Sequence, residues 1–180
     1  EALTAFCNWS VQRGYLANDP LKAMVPFDTT PRTKRRSMTD DEIRRLFDVG
    51  TPHRKLLYET ALLSGLRANE LRSLTVEHLE TDRPGLNLDA DWTKNRKPGF
   101  QHLPVDLVER LRRFADERAA EKLYEKFYKR RDTTRRAAAD ALLFVPFSMS
   151  RDFDKDLKAA RIPKSTPEGK LDFHALRVTY

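Results

Sequence analysis

The 180-residue sequence has little cysteine and no long hydrophobic run, and both absences narrow what the protein can be. Its single cysteine, Cys7, cannot form a disulfide within the chain, which favours a reducing compartment. No stretch approaches the roughly 18 apolar residues that cross a bilayer, and no signal peptide precedes the first helical pattern. We therefore expect a cytoplasmic protein without a membrane partner.

Residue clusters that hold metal ions are also missing from the sequence. The chain has four histidines, which lie far apart, with no spacing typical of a ligand set: His53, His78, His102 and His174. We therefore expect no metal.

Positive charge, by contrast, is in excess, with 34 Lys and Arg against 27 Asp and Glu and a net charge of +7. It is concentrated in two runs, PRTKRR (31–36) and KFYKRRDTTRR (126–136). Such runs are often solvated faces or flexible tails, but the excess favours a polyanionic partner, with nucleic acid the first choice.

The apolar pattern predicts a mainly α-helical protein with a small antiparallel β-sheet, an α+β fold. Helical spacing dominates, with one long helix predicted from Val105 past Ala120. The segments LNLDADW (86–92) and QHLPV (101–105) instead read as two extended pieces, joined by the basic stretch TKNRKPGF. They predict a β-hairpin with a basic tip.

A domain boundary is predicted where the apolar pattern lapses between Pro26 and Ser37. The helix before it is predicted to end at Gly14. After it, Thr39 and Glu42 have the spacing of a capping box that starts a new helix.

The stretch SGLRANELRSL (64–74) places Arg67 at a predicted helix junction. Gly65 is predicted to end one helix and Arg67 to begin the next, where unpaired backbone N–H groups and the helix dipole favour an anion. A guanidinium beside these amides would form a two-pronged clamp for phosphate. Glu70 is placed to orient the arginine, although an ordinary surface Arg–Glu pair has the same spacing.

The stretch FHALR places His174 and Arg177 three residues apart, on one face of a predicted helix capped by Asp172. An arginine can hold a phosphate oxygen while an imidazole moves a proton or donates a hydrogen bond. A histidine at a helix start is more often a cap or a solvent contact, so the pair alone is weak. Lys94, at the hairpin tip, has the reach to contact DNA or is a simple turn lysine.

Together, and in this order, these motifs resemble the tyrosine recombinase (phage integrase) family. They are GLRxxEL, a lysine on a following β-hairpin, and HxLR near the end. The stretch RSMTDDEIRRLF also resembles the entry helix of the family's catalytic domain, and LTAFCNWSVQRGYLANDPLKAM is similar to the last helix of its core-binding domain. The resemblance implies three parts: the end of a core-binding domain (1–25), a basic linker (26–37) and a catalytic domain lacking its C-terminal part (38–180).

The resemblance implies site-specific DNA recombination or integration, in which a tyrosine cuts one strand, forms a 3′-phosphotyrosyl link and the strand is rejoined to another. No metal or other cofactor is implied, since arginines stabilise the charge. Carried over by motif, Arg67 and Arg177 clamp the scissile phosphate, and Glu70 orients rather than reacts. Lys94 protonates the 5′-oxygen leaving group, and His174 assists proton transfer.

Further cations are predicted to contact the DNA backbone, without reading bases: Arg32, Lys34, Arg35, Arg36 and Lys97. Lys97 is also the alternative general acid if the hairpin register is shifted.

The sequence departs from the family at its end, because the nucleophilic tyrosine of the family lies well downstream of HxLR. Tyr180 is rejected as a substitute because it lies three residues from Arg177 on the same helix, where the family carries a buried aromatic. Tyr58, Tyr124 and Tyr128 precede the motif and are equally poor choices. We expect the chain to be an inactive piece of a longer protein.

As partners, the resemblance implies double-stranded DNA and, for the full-length protein, self-assembly into a tetramer on DNA. We expect this chain alone to be a monomer and the parent to be a prokaryotic or phage-derived, nucleoid-associated protein.

Three other interpretations stay open at this point. They are a non-catalytic DNA-binding protein on the same scaffold, a type IB topoisomerase relative, and a helical interaction domain that ignores DNA. A tyrosine well downstream of Arg177 would distinguish the enzyme from the binder. The core-binding helix and the HALR motif argue against the topoisomerase, and a flat salt dependence of DNA binding would favour the third interpretation.

Overall fold

The computed structural model describes residues 2–24, 34–92, 96–128 and 139–179, and the chain divides into two compact units, Glu1–Arg32 and Thr33–Tyr180. The first unit contains helix α1 (Ala2–Gln12). The chain turns after it at Gly14, whose φ of 75° lies in the left-handed region that favours glycine. The predicted end of this helix is therefore confirmed.

The second unit is mainly helical with a small antiparallel sheet, as the sequence predicts. Its helices are α2 (Asp40–Val49), α3 (Pro52–Ser64), α4 (Ala68–Ser73), α5 (Val105–Asp116), α6 (Ala119–Tyr128), α7 (Met149–Ala159) and α8 (Ala175–Thr179). Strands β1 (Leu79–Glu80), β2 (Gly85–Leu88) and β3 (Gly99–His102) pair in that order as an antiparallel sheet, and β4 (Ser165–Thr166) pairs with β5 (Gly169–Lys170).

The main core of this unit forms where α3 packs against both α5 and α8, and where α7 packs against α2. Its fully buried aromatic pair, Tyr58 and Phe153, meets edge to face at 5.6 Å between ring centroids. A second cluster, around Tyr124 and Phe144, packs α6 against the buried loop 141–146.

The single long helix predicted from Val105 past Ala120 is wrong, because the chain breaks between α5 and α6. Arg118 adopts a left-handed φ of 51°, and its guanidinium pairs with Glu121 at 2.6 Å. The break redirects α6 so that the Tyr124 hydroxyl donates to the backbone oxygen of Val145 (2.8 Å). Burial of aromatic area in the second cluster thus overrides the helical pattern of the sequence.

The predicted hairpin is confirmed, but its first strand is shorter than the alternating pattern 86–92. Strand β2 stops at Leu88, and Ala90–Trp92 forms a short 3₁₀ helix. Trp92 leaves the strand direction to stack on His78, with ring centroids 4.9 Å apart. The alternation of apolar and polar residues in the sequence therefore extends beyond the residues that pair in the sheet.

The predicted cap of the last helix is also wrong. Helix α8 begins at Ala175, one residue after His174, and the Asp172 side chain accepts a hydrogen bond from Arg35 Nε (2.9 Å) instead of capping it. The backbone oxygen of Asp172 accepts the Ala175 N–H (2.8 Å), so the turn is closed by main-chain atoms.

The predicted start of α2 is confirmed, and it carries a largely buried ion pair. Thr39 and Glu42 form the expected capping box. Glu42 also accepts two hydrogen bonds of 2.7 Å from Arg36, and the two side chains are only 10% and 9% exposed. Arg36, predicted to contact DNA, is instead engaged in holding the start of α2 to the preceding segment.

Because this pair is buried, we expect Glu42→Gln to lower the free energy of unfolding by about 3 kcal/mol. The hydrogen bonds from Arg36 hold the pKa of Glu42 below its ordinary value. In the wild type, the Arg36–Glu42 pair therefore adds stability at neutral pH. This contribution disappears as the pH falls through the lowered pKa of Glu42. Denaturant unfolding at pH 7 and at acidic pH measures both effects.

The matched control is Asp116→Asn, which breaks an exposed pair with Arg112 and should change stability by less than about 1 kcal/mol. Equal losses in the two variants would contradict a special role for the Arg36–Glu42 pair.

Candidate active site

Arg67 lies between two helices and is oriented by Glu70. Helix α3 ends at Gly65, which has a φ of 63°, and Arg67 directly precedes α4. Leu66 and Leu71 are buried on either side, so the backbone of this junction is anchored in the core. The Arg67 side chain is 57% exposed and donates from Nη1 to Glu70 Oε1 at 2.7 Å. The contact predicted from the spacing is therefore present.

Glu70 also limits one part of the predicted phosphate clamp. Its Oε2 atom accepts the backbone N–H of Arg67 at 2.6 Å, so one of the amides expected to face an anion already has a partner. At this junction the predicted clamp would therefore depend on the guanidinium rather than on that backbone N–H.

His174 and Arg177 lie on the turn that leads into α8 and on α8 itself. Phe173 and Leu176 are buried, and α8 packs against α3. The Phe173 ring lies 6.2 Å from that of Tyr58, between centroids. Core packing therefore fixes this short segment and leaves His174 and Arg177 half-buried.

The fold brings these distant segments together around His174. Burial lowers the pKa of the His174 imidazole, and the positive charges of Arg35, Arg177 and Arg67 lower it further. The carboxylate of Asp172 acts in the opposite direction. The lowered pKa favours the neutral imidazole, which has a nitrogen lone pair to accept a proton or hydrogen bond.

The predicted hairpin is attached to the same region, although its lysine is outside the described residues. Gln101 of β3 donates from Nε2 to the backbone oxygen of Leu63, in the last turn of α3 (3.3 Å). The connection between β2 and β3 runs from 89 to 98, and Lys94 is among the residues of that connection that are not described. Lys97 is exposed at the other side of the tip.

The other predicted DNA contacts fall in different environments. Lys34 and Arg35 are exposed, Arg36 is engaged with Glu42, and Arg32 lies outside the described residues. The sequence predicts Arg35 only as a contact to the DNA backbone, but in the structure its positive charge also lowers the pKa of His174. No pattern in the sequence indicates that a residue of the predicted linker belongs to this cluster.

The tyrosines rejected as nucleophiles have occupied hydroxyl groups. Tyr58 is fully buried and donates to Asp156 Oδ2 (2.6 Å), and burial raises its pKa. Burial also raises the pKa of Tyr124, which donates to a backbone oxygen. The hydroxyl of Tyr128 accepts the Phe147 N–H (3.2 Å). Tyr180 lies outside the described residues.

Within the described ranges, no three or more His, Cys, Asp or Glu side chains group in a way that could hold a metal ion. Among the same residues, no helix is long and apolar enough to span a membrane.

Comparison with known proteins gives a family match and similar solved structures. The sequence profile of the Phage integrase family matches residues 36–180. A search of curated proteins gives no match. Among solved structures, XerA recombinase gives a TM-score of 0.54 at 21% sequence identity over 99% of this chain and 57% of its own.

Two structures of lambda integrase are similar in the same way. A dimer bound to a COC′ core site gives a TM-score of 0.59 at 15% identity, over 98% of this chain and 61% of its own. A tetramer bound to a Holliday junction gives a TM-score of 0.58 at 17% identity, over 98% of this chain and 50% of its own. At these identities the likeness establishes the fold, and the chain spans half to three-fifths of the length of these proteins.

The charge cluster predicts how His174 titrates. We expect its imidazole to titrate below the ordinary pKa of histidine, and Arg35→Gln to raise that pKa, because the variant removes a positive charge and leaves Asp172 uncompensated. Two-dimensional ¹H–¹⁵N NMR of the imidazole during a pH titration measures both values. Arg112→Gln, on the exposed face of α5, is the matched control. An unchanged His174 pKa in Arg35→Gln would show that Arg35 does not act on the imidazole.

Proposed function

Because the chain belongs to the phage integrase family, we propose that it forms part of a site-specific recombinase that cleaves and rejoins DNA through a 3′-phosphotyrosyl intermediate. The observation that carries the proposal is the packing of α8, which contains Arg177 and directly follows His174, against α3, which ends at the Arg67 junction. The positive charges of Arg67 and Arg177 both lower the pKa of His174. These residues come from segments about a hundred positions apart, and together they offer an anion two guanidinium groups and a proton acceptor.

In this proposal, Arg67 and Arg177 bind the two nonbridging oxygens of the scissile phosphate. As the tyrosine oxygen attacks phosphorus and the bond to the 5′-oxygen breaks, negative charge grows on those oxygens, and the arginines stabilise it. His174 accepts or returns the proton of the nucleophile, and Lys94 protonates the leaving 5′-oxygen, with Lys97 as the alternative. Glu70 holds the Arg67 guanidinium in position.

The domain organisation is part of the same proposal. Residues 1–25 would be the C-terminal end of a core-binding domain, and 38–180 the catalytic domain without its C-terminal part. The division of the chain after Arg32 and the start of the family match at residue 36 support this arrangement. We further propose that the complete protein assembles as a tetramer on double-stranded DNA, and that this chain alone is a monomer.

The DNA backbone would be contacted by the exposed cations next to the site. Lys34 and Lys97 remain proposed contacts, whereas Arg36 is engaged with Glu42. Arg32 lies outside the described residues and stays a prediction from the sequence. Such contacts add affinity without sequence preference, and each makes binding more dependent on salt.

The hydroxyl groups of Tyr58, Tyr124 and Tyr128 are all engaged in the fold, which argues against each of them as the nucleophile. The nucleophile is proposed to lie outside this chain. For the chain by itself, this favours the second function considered, DNA binding without cleavage.

We expect Arg67→Ala in the full-length protein to slow strand cleavage by about 10²–10³-fold, roughly 3–4 kcal/mol in the barrier, while DNA binding is largely kept. The reason is that the clamp acts mainly on charge that develops in the transition state. Single-turnover cleavage of a suicide substrate measures the rate, with Arg112→Ala as the control. Normal cleavage with weakened binding would instead make Arg67 a positioning contact.

The chain alone, incubated with a nicked suicide substrate, is expected to give no covalent protein–DNA adduct, because we propose that the nucleophile lies outside it. Denaturing electrophoresis of labelled DNA detects such an adduct. An adduct that forms with the wild-type chain and disappears in Tyr180→Phe would overturn this assignment.

A further inference from the structure

The segment that enters the second unit, Lys34–Met38, runs along β5 and is called the entry segment below. Arg35 and Lys170 form a parallel β-bridge. The Lys170 N–H donates to the Lys34 oxygen (2.8 Å), and the Arg36 N–H donates to the Lys170 oxygen (3.3 Å). Gly169 makes this approach possible, because a Cβ there would lie 2.5 Å from the Lys34 oxygen.

The entry segment is also attached to the end of α8. The Met38 N–H donates to Thr179 Oγ1 (2.9 Å), and Ser37 Oγ donates to the Val178 oxygen (3.4 Å). The segment therefore contacts the chain on both sides of His174 and Arg177. Its backbone position, and with it the position of Arg35, is fixed relative to the site.

Arg35 and Arg36 face different surroundings because successive side chains of an extended segment point to opposite sides. Arg36 points to Glu42 and is 10% exposed, whereas Arg35 is 53% exposed and contacts Asp172, two residues before His174. Only one of the two arginines is therefore placed at the site.

The Arg35 guanidinium is held by one of its edges. Nε donates to Asp172 Oδ2 at 2.9 Å, and among the described residues its terminal nitrogens donate to no acceptor. Arg67 is held in a similar way, since Nη1 donates to Glu70 and its other side-chain nitrogens have no partner among those residues. A guanidinium has five donors in a planar fork, so a carboxylate on one edge leaves another edge for phosphate oxygens.

We propose that Arg35 is a third phosphate-binding arginine of the site and that Asp172 is its positioning residue. The ligand is a phosphate of the DNA strand bound at His174, so this proposal rests on the proposed function. Arg35 then differs from a diffuse linker charge in having a fixed orientation. The charge that it exerts on His174 agrees with a place inside the cluster.

The test is the salt dependence of DNA binding by the whole chain, measured by fluorescence anisotropy with a labelled duplex of arbitrary sequence. Arg35→Gln should reduce the slope of log affinity against log salt by about 0.9, the value for one phosphate contact, and weaken binding about tenfold. Arg35→Lys should keep the slope, because the charge remains, but lose part of the affinity, because the planar fork is gone. Arg112→Gln, the matched control, should leave both quantities unchanged.

The positioning role of Asp172 is tested by a double-mutant cycle. The loss caused by Arg35→Gln should be clearly smaller in an Asp172→Asn background, because the arginine is no longer oriented there. Equal losses in both backgrounds would remove Asp172 from the proposal. Because Arg35 is half exposed and the entry segment pairs through its backbone, circular dichroism should show that all of these variants fold.

The outcomes also separate this inference from the proposed function. If Arg67→Gln and Arg177→Gln reduce the slope and Arg35→Gln does not, Arg35 does not bind phosphate, and the proposed site of Arg67 and Arg177 stands. If Arg35→Gln and Arg112→Gln reduce it equally, Arg35 is a diffuse charge and the inference fails. If the wild-type chain shows no salt-dependent binding to DNA, both proposals fail.

Discussion

Repulsion between like charges is the constraint that shapes this site, because three arginines act on the imidazole of His174. Gathering guanidinium groups costs free energy wherever water is partly displaced. Two carboxylates, Glu70 and Asp172, offset part of the cost, and each engages only part of one arginine. A phosphodiester would offset the rest, since it supplies the opposite charge. In the proposed function, the site would be organised for an anion before one arrives, which is the condition for electrostatic catalysis.

The core beneath the site supplies the rigidity that such a cluster needs. Helix α3 carries Gly65 at its end and packs against α8, so the two halves of the proposed clamp sit on elements that share one core. Tyr58, held by Asp156, packs against Phe173 next to His174. Full burial of these aromatic and leucine side chains leaves little room for the site residues to move independently.

Local sequence signals predicted much of this structure. The capping box of α2, the left-handed glycines and the Arg67–Glu70 contact depend on neighbours within a few residues, and the hairpin pairs two segments that are close in the sequence. The failures share a different cause. The break at Arg118, the turn of Trp92 toward His78 and the pairing of Asp172 with Arg35 are decided by side chains far away in the sequence. Arg35 lies at the site because the entry segment pairs with Lys170. The entry segment is polar and lacks the alternation of apolar and polar residues that would predict such pairing.

The central claim is that the arginines around His174 bind a single region of DNA backbone. A crystal structure of the chain with a DNA duplex tests it most directly. The account predicts nonbridging oxygens of one phosphate within about 2.7–3.1 Å of the side-chain nitrogens of Arg67 and Arg177, with the His174 ring facing the same phosphate. DNA bound along another surface, with these side chains turned to solvent, would contradict it.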